Sequence, residues 1–495
     1  VSNRQISNAL ISVFNKDGLD TILDRLVDNH IHIFSTGGTQ TYIERKGVAV
    51  SAVEDLTNYP SFLGGRVKTL HPKIFGGILA RRDNPLDQQE VMQYEIPFFD
   101  LVIVDIYPFE ETYASGANHQ DIIEKIDIGG ISLIRAAAKN YADVLVVSSR
   151  EQYAWLADLL ATRSHTTGQE RRHMAGLAFD ITTRYDGLIA NYLSGGSALT
   201  LRYGENPHQK AKFIGALDNI FDKLQGKDLS YNNLLDIDAT LAYLRGHESP
   251  CMAIVKHNNA CGLAQDELLP NAWRKALAAD PVSAFGGIIG SNRPIDLETA
   301  LLINDLFFEV IIAPDFHDQA FQLLSSRKNR VILRLKRNDP PATESRTLLH
   351  GTLIQDKDLA GTKDYSLRVA THRQPSPDEM RDMLFANEIA KNSKSNTIVL
   401  VRDRQLLGMG CGMTSRIDAL KHAIAKAQEA RLDLENAAMA SDAFFPFPDC
   451  VQIAKEKGIN SVIHPGGSVR DQDSIDYCNA NNMAMVITGF RHFKH

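Results

Sequence analysis

A chain of 495 residues is too long for one ordinary core, and its length predicts two or three domains. With 44% hydrophobic and 23% charged residues it has the composition of a soluble globular protein, and a net charge of −7 argues against general nucleic-acid binding. Nothing approaches the roughly 18 consecutive apolar residues of a membrane span, the polar start is no secretory signal, and five scattered cysteines without a Cys-x-x-Cys pair fit a reducing cytoplasm rather than a disulfide framework or a zinc site.

In chain order, 9–13 reads as a short strand, after which Leu19, Ile22, Leu23, Leu26 and Val27 recur at helical spacing. A second strand at 32–35 runs into Thr36-Gly37-Gly38-Thr39 and a helix that stops near Gly47. Residues 101–105 and 144–147 read as buried parallel strands. This alternation predicts an α/β, open, doubly wound parallel sheet with its ligand beyond the carboxyl ends of the strands. A helix ends near Leu193 and Ser194-Gly195-Gly196-Ser197 reads as a flexible break, which predicts domains at 1–193 and 198–495. The second region is a larger α/β domain, with strands predicted at 252–255, 310–313, 331–335, 397–401, 461–463 and 483–487. The polar span 336–373 reads as loops and short strands joining two halves, and no short repeat is visible.

The densest chemical signal is Gly64-Gly65-Arg66-Val67-Lys68-Thr69-Leu70-His71-Pro72-Lys73, where cationic side chains lie beside glycines that let backbone amides approach an anion. It is not a P-loop, because Val67 stands where the glycine before the lysine must be. Ser12-Val13-Phe14-Asn15-Lys16 and Thr36–Thr39 each end a strand and open a helix, where N–H groups favour phosphate. Each alone is equally a solvated loop; three on one sheet edge point to a phosphate-bearing ligand. Asp105-Ile106-Tyr107 ends the most apolar strand, and Asp127-Ile128-Gly129-Gly130 opens a helix bearing Arg135 and Lys139 on one face.

In the second region Leu201-Arg202-Tyr203-Gly204-Glu205-Asn206-Pro207-His208 offers an arginine and an aromatic in a turn. Ile254-Val255-Lys256-His257-Asn258-Asn259-Ala260-Cys261-Gly262 delivers an adjacent lysine and histidine from a strand into a polar turn. Cys261 reads as a packed, inert thiol. Further strings are Phe285-Gly286-Gly287, Glu309-Val310, Lys394-Ser395-Asn396-Thr397, Ser415-Arg416, Asp442-Ala443-Phe444-Phe445-Pro446-Phe447 and Phe490-Arg491.

Together these strings resemble a bifunctional purine biosynthesis family, which couples an IMP cyclohydrolase domain similar to methylglyoxal synthase to an AICAR formyltransferase domain built of two cytidine deaminase-like halves. The resemblance assigns Lys68, Tyr107, Asp127 and Lys139 to ring closure, with Ser12, Lys16, Thr36, Gly37, Gly38, Thr39, Arg66 and Thr69 binding the nucleotide. It assigns Lys256, His257 and Asn396 to formyl transfer, and Arg202, Tyr203, Phe285, Gly286, Glu309, Arg416, Phe444, Phe445 and Arg491 to substrate contacts. It implies the substrates AICAR and formyl-AICAR, the product IMP, and 10-formyltetrahydrofolate as co-substrate, with no bound cofactor and no metal. It also implies a cytoplasmic homodimer with formyltransferase sites at the subunit interface, and neither nucleic acid nor membrane as partner.

The residue types suit the chemistry. Lysine and tyrosine move protons near neutral pH if clustered positive charge depresses their pKa values. The amine of AICAR lies on an electron-poor ring and gains from a neutral histidine base beside a cationic lysine. This sequence departs from the family pattern at Phe14 and Asn15, at Ala260 where proline is usual, and at Met413 where glutamine is usual. Two other enzyme classes fail on residues: a zinc deaminase needs His-x-Glu with Cys-x-x-Cys, and a dinucleotide dehydrogenase needs Gly-x-Gly-x-x-Gly. A non-catalytic nucleotide sensor would not require a proton-transfer set in each domain.

Overall fold

Short runs of apolar residues bounded by turns become strands buried on both faces, and these runs set the architecture. The computed structural model describes residues 3–60, 63 and 67–495, without the side chains of 197 and 198. Gly64, Gly65 and Arg66 therefore lie outside the described residues. The chain divides into two compact units, residues 1–199 and 200–495.

The first unit holds a five-stranded sheet. Its strands are β1 (Asn8–Ser12), β2 (His32–Ser35), β3 (Ser51–Ala52), β4 (Leu101–Val104) and β5 (Leu145–Val147). They are all parallel, in the order β3-β2-β1-β4-β5. Helices α1 (Leu19–Asp28), α2 (Gly37–Arg45), α3 (Gly129–Lys139) and α4 (Gly168–Leu193) accompany it. Leu19, Ile22, Leu23 and Leu26 of α1 pack on one face of the sheet, while Leu133 and Ile134 of α3 pack on the other with Ala175 and Ala178 of α4. This is the doubly wound sheet that the alternating pattern predicts. The strand order reverses between β1 and β4, and the crevice beyond their carboxyl ends is where such sheets bind ligands. Ser197, read as part of a flexible break, instead starts the strand Ser197–Leu201.

The second unit is organised by one mixed sheet of twelve strands. Its first half comprises β6 (Phe221–Gln225), β7 (Cys251–Lys256), β8 (Asn259–Gln265), β9 (Ile288–Ser291), β10 (Val310–Ala313) and β11 (Val331–Leu335). The second comprises β12 (Arg368–Val369), β13 (Ile398–Arg402), β14 (Gln405–Gly410), β15 (Ala438–Ser441), β16 (Ser461–His464) and β17 (Ala484–Ile487). The order is β6-β11-β10-β9-β7-β8-β14-β13-β15-β16-β17-β12. Each half repeats one plan: a hairpin (β7–β8, β13–β14), an antiparallel neighbour (β9, β15), two parallel strands and an antiparallel edge. The halves meet where β8 pairs antiparallel with β14, Ala264 opposite Gln405.

Helices repeat as well. Helices α5 (Tyr231–Leu244) and α7 (Pro377–Asn392) precede the hairpins and share one core; each starts at a serine, Ser230 or Ser376, that closes a capping box. Helices α6 (Leu269–Ala279) and α8 (Arg416–Glu429) follow the hairpins. They lie so close to the sheet that a Cβ at Gly262 would sit 2.1 Å from the Ala276 carbonyl oxygen, and one at Gly408 would sit 2.1 Å from that of Ala423. Gly408→Ala is therefore expected to cost about 1–3 kcal/mol by overpacking, whereas Gly361→Ala, with no atom within 4 Å of the added carbon, leaves stability unchanged. Thermal denaturation of the two variants checks this.

Candidate active sites

In the first unit the residues at the carboxyl ends of β1, β2 and β4 converge. Both carboxylate oxygens of Asp105, just past β4, accept backbone N–H groups from the turn after β1, one from Phe14 and the other from Asn15 at 2.9 Å. The Lys16 ammonium folds back on this turn, donating to the carbonyls of Val13 (2.7 Å) and Phe14 (2.8 Å). The Thr39 hydroxyl joins the second turn to the first, donating to the Val13 carbonyl at 2.8 Å and accepting its N–H at 3.1 Å. Thr36 donates to Glu54 at 2.7 Å. Gly37 has φ +55°, and a Cβ there would lie 2.7 Å from Lys68 Nζ, so this glycine admits the lysine to the crevice; Gly38 faces open space.

Thr69 is buried beside the start of α3, where a Cβ at Gly129 would lie 3.4 Å from its hydroxyl. Asp127 is also buried, accepting the N–H of Gly130 at 2.7 Å and that of Tyr107 at 3.3 Å. The Phe14 ring stands edge-on to Tyr107 with centroids 5.5 Å apart, so this departure from the family pattern supplies an aromatic wall.

Two expectations change here. Burial, reinforced by Asp127 and Asp105, pushes the Tyr107 phenol above its ordinary pKa, so Tyr107 stays protonated rather than becoming more acidic. Burial also lowers the Lys16 amine, opposed by Asp105 and assisted by Lys68. Lys139, the last residue of α3, lies about 15 Å along the helix from Gly129 at 1.5 Å per residue.

In the second unit the Lys256–His257 pair sits at the tip of the β7–β8 hairpin. His257 (φ 53°) and Asn258 (φ 65°) form a two-residue turn with left-handed backbone at both positions. The Asp236 carboxylate on α5 accepts the N–H groups of His257 (3.3 Å) and Asn258 (2.6 Å). Lys256 Nζ donates to the Phe285 carbonyl at 2.8 Å, which brings the Phe285–Gly286 loop beside it. Gly286 takes φ +76°, and Phe285 is 60% exposed.

The seam between the halves carries the chain from this turn to Asn396. Asn259 Oδ1 accepts from Cys411 Sγ at 3.3 Å, and the loop after Cys411 bonds back through Gly412 to the Lys394 carbonyl at 2.7 Å. The Asn396 amide is fixed by donation to the Met413 carbonyl (2.9 Å) and by acceptance from Arg416 (2.9 Å). Met413 thus serves through its backbone, while its side chain packs against the core, so the missing glutamine costs no bond to Asn396. Arg416 also pairs with the buried carboxylate of Asp442 at 3.0 Å, while the Asp442 backbone carbonyl accepts the His492 backbone N–H at 3.1 Å; Arg491, next to His492 in the chain, lies over the Phe493 ring.

Glu309 accepts from Asn233 at 3.1 Å and from Lys227 at 3.4 Å. The Arg202–Tyr203 loop reaches the start of α5 through Asn232, which donates to the Glu205 carbonyl at 3.2 Å. Phe444 is half-buried, but Phe445 is 1% exposed in the core beside His464, so it is a core residue rather than binding surface. The exposed aromatic of that string is Phe447. Ala260 is buried, and its backbone N–H, which proline would lack, faces the Tyr243 hydroxyl. Sequence reasoning missed Asp236 and Asn233, both on α5: a carboxylate or amide on a helix carries no motif of its own.

A family model described as AICARFT/IMPCHase bienzyme matches residues 137–426, and one described as MGS-like domain matches residues 18–132. The chain belongs to the AICARFT/IMPCHase bienzyme family. It is 55% identical to the bifunctional purine biosynthesis protein PurH of Bacteroides thetaiotaomicron, over 100% of this chain and 99% of that protein. It is 43% identical to the protein of the same name from Chlorobaculum parvum, over 100% of both.

Burial pushes the Cys261 thiol up to about 12, leaving almost no thiolate at pH 8. Alkylation at pH 8 followed by mass spectrometry is expected to label Cys261 only after unfolding, and Cys261→Ala is expected to keep formyl-transfer activity.

Proposed function

We propose that this bifunctional AICAR formyltransferase and IMP cyclohydrolase of purine biosynthesis transfers the formyl group at the Lys256–His257 turn and closes the ring with Lys68, Tyr107, Asp127 and Lys139. The cyclohydrolase domain then corresponds to 1–193 and the formyltransferase domain to 198–495. The observation that carries the reading is the turn that presents His257 beside Lys256, with Asn396 fixed across the seam between the halves.

In formyl transfer from 10-formyltetrahydrofolate, His257 takes the proton of the attacking AICAR amine. Lys256 stabilises or protonates the departing folate nitrogen. Asn396 spends one N–H on Met413 and keeps the other for the formyl oxygen. In ring closure the carboxamide nitrogen attacks the formyl carbon and water leaves. The protonated Tyr107 donates to the departing oxygen, and Lys68 and Thr69 face the developing oxyanion. Ser12, Lys16 and Thr36–Thr39 surround the nucleotide phosphate at the strand ends. The five free cysteines suit a cytoplasmic enzyme.

The protein works as a homodimer. In support, the hairpin of Thr343–Leu348 and Gly351–Asp356 is exposed throughout and carries Leu349, Leu353 and Ile354 into solvent. Analytical ultracentrifugation is expected to show a dimer, and a monomer when Leu349, Leu353 and Ile354 are all changed to serine.

The two sites are separable. His257→Ala is expected to cut formyl transfer by about 100-fold or more while leaving cyclisation of supplied formyl-AICAR intact, and Lys68→Ala is expected to do the reverse. Tetrahydrofolate release and IMP absorbance report the two reactions. If either substitution silenced both reactions in a folded protein, the two-site reading would fall.

A further inference from the structure

The turn that carries His257 has a counterpart in the other half of the same sheet. Asp236 on α5 accepts the N–H groups of His257 and Asn258, which lie 21 and 22 residues further on. Asp382 on α7 accepts those of Asp403 (2.9 Å) and Arg404 (2.7 Å), again 21 and 22 residues further on. Asp403 (φ 50°) and Arg404 (φ 56°) repeat the left-handed pair of His257 and Asn258. The β7–β8 and β13–β14 hairpins even share a register irregularity, between Ile254 and Val255 in one and between Leu400 and Val401 in the other.

The device is therefore a property of the duplicated half, and only one copy bears a histidine. In that copy the carboxylate has a third donor, the Asn258 side-chain amide at 3.1 Å from Asp236 Oδ1. Asparagine tolerates left-handed backbone but histidine does so at a cost, so His257 is the residue that needs such an acceptor.

We infer that Asp236 is a positioning residue for formyl transfer, whose carboxylate holds the His257–Asn258 turn in the conformation that sets the imidazole beside Lys256. This rests on the reading of His257 as the formyl-transfer base. Asp236 touches no reacting atom; it acts through the two N–H groups. Asp382 does the same for a turn without chemistry and is the internal control.

The test compares Asp236→Asn with Asp382→Asn in the full chain. Both are expected to lower the thermal midpoint to a similar extent. Only Asp236→Asn is expected to lower kcat for formyl transfer, by about 10- to 100-fold, with the KM for AICAR and the rate of cyclisation of supplied formyl-AICAR unchanged. Adding Asn258→Gly, which takes left-handed backbone without cost, is expected to restore part of the lost kcat. It also supplies a folded protein if the single variant does not fold. Wild-type kcat in Asp236→Asn, an equal loss of kcat in Asp382→Asn, or no recovery on adding Asn258→Gly would overturn the inference. An active His257→Ala would instead overturn the reading it rests on, which keeps the two failures distinct.

Discussion

Two carboxylates, each gripping a pair of left-handed N–H groups, fix the tips of the hairpins around which the second unit is built. Left-handed backbone costs a residue other than glycine, asparagine or aspartate roughly 1–2 kcal/mol, a cost borne by His257 in one tip and Arg404 in the other. Hydrogen bonds to a charged acceptor are worth about 1.5–3 kcal/mol each, enough for two of them to outweigh the strain. The carboxylate's own cost is visible in Asp236, whose pKa burial raises against the pull of its donors. Once the tips are set, the seam between β8 and β14 brings the His257 turn alongside the loop that holds Asn396. The two tips differ in side chain: His257 in one half is matched by Asp403 in the other.

The first unit solves the same positioning problem with a parallel sheet. Its order reverses between β1 and β4, and Asp105 ties the turn after β1 to the end of β4 at that point of reversal. The turn after β2 joins through Thr39, and the absence of a side chain at Gly37 lets Lys68 in. Each crevice is thus assembled from backbone held by buried polar side chains, which lets Phe14 or Ala260 differ from the family pattern while the surrounding framework persists.

Much of this was legible in the residues. Strands such as Leu101–Val104 and Val310–Ala313 are buried on both faces and read as unbroken apolar runs. The hairpin strands Asn259–Gln265 and Gln405–Gly410 were not read, because their glycines exist to admit helices and their ends are polar. The two halves were implied by the family resemblance and not by any visible repeat, because the features that survive in both, a serine cap, an aspartate and a glycine, are too sparse to register as one. Periodicity placed Arg135 and Lys139 on one face of α3 but said nothing of how far along the helix Lys139 lies from Asp127. A string of aromatics gave no sign that Phe445 turns inward while Phe447 turns out. Asp236 was silent because its partners are backbone groups of a turn remote in sequence.

The central claim is that formyl transfer occurs at the His257 turn. A rival location exists in the same unit: a cavity of about 1040 Å³ lined by residues including Arg245, Lys391 and Arg404, but by neither Lys256, His257 nor Asn396. The most direct test is a crystal structure with AICAR and a non-reactive analogue of 10-formyltetrahydrofolate. The account predicts the AICAR amine within hydrogen-bonding distance of the His257 imidazole, with the formyl position facing Asn396. Both ligands bound in the cavity beside Arg404, with the His257 turn empty, would contradict it.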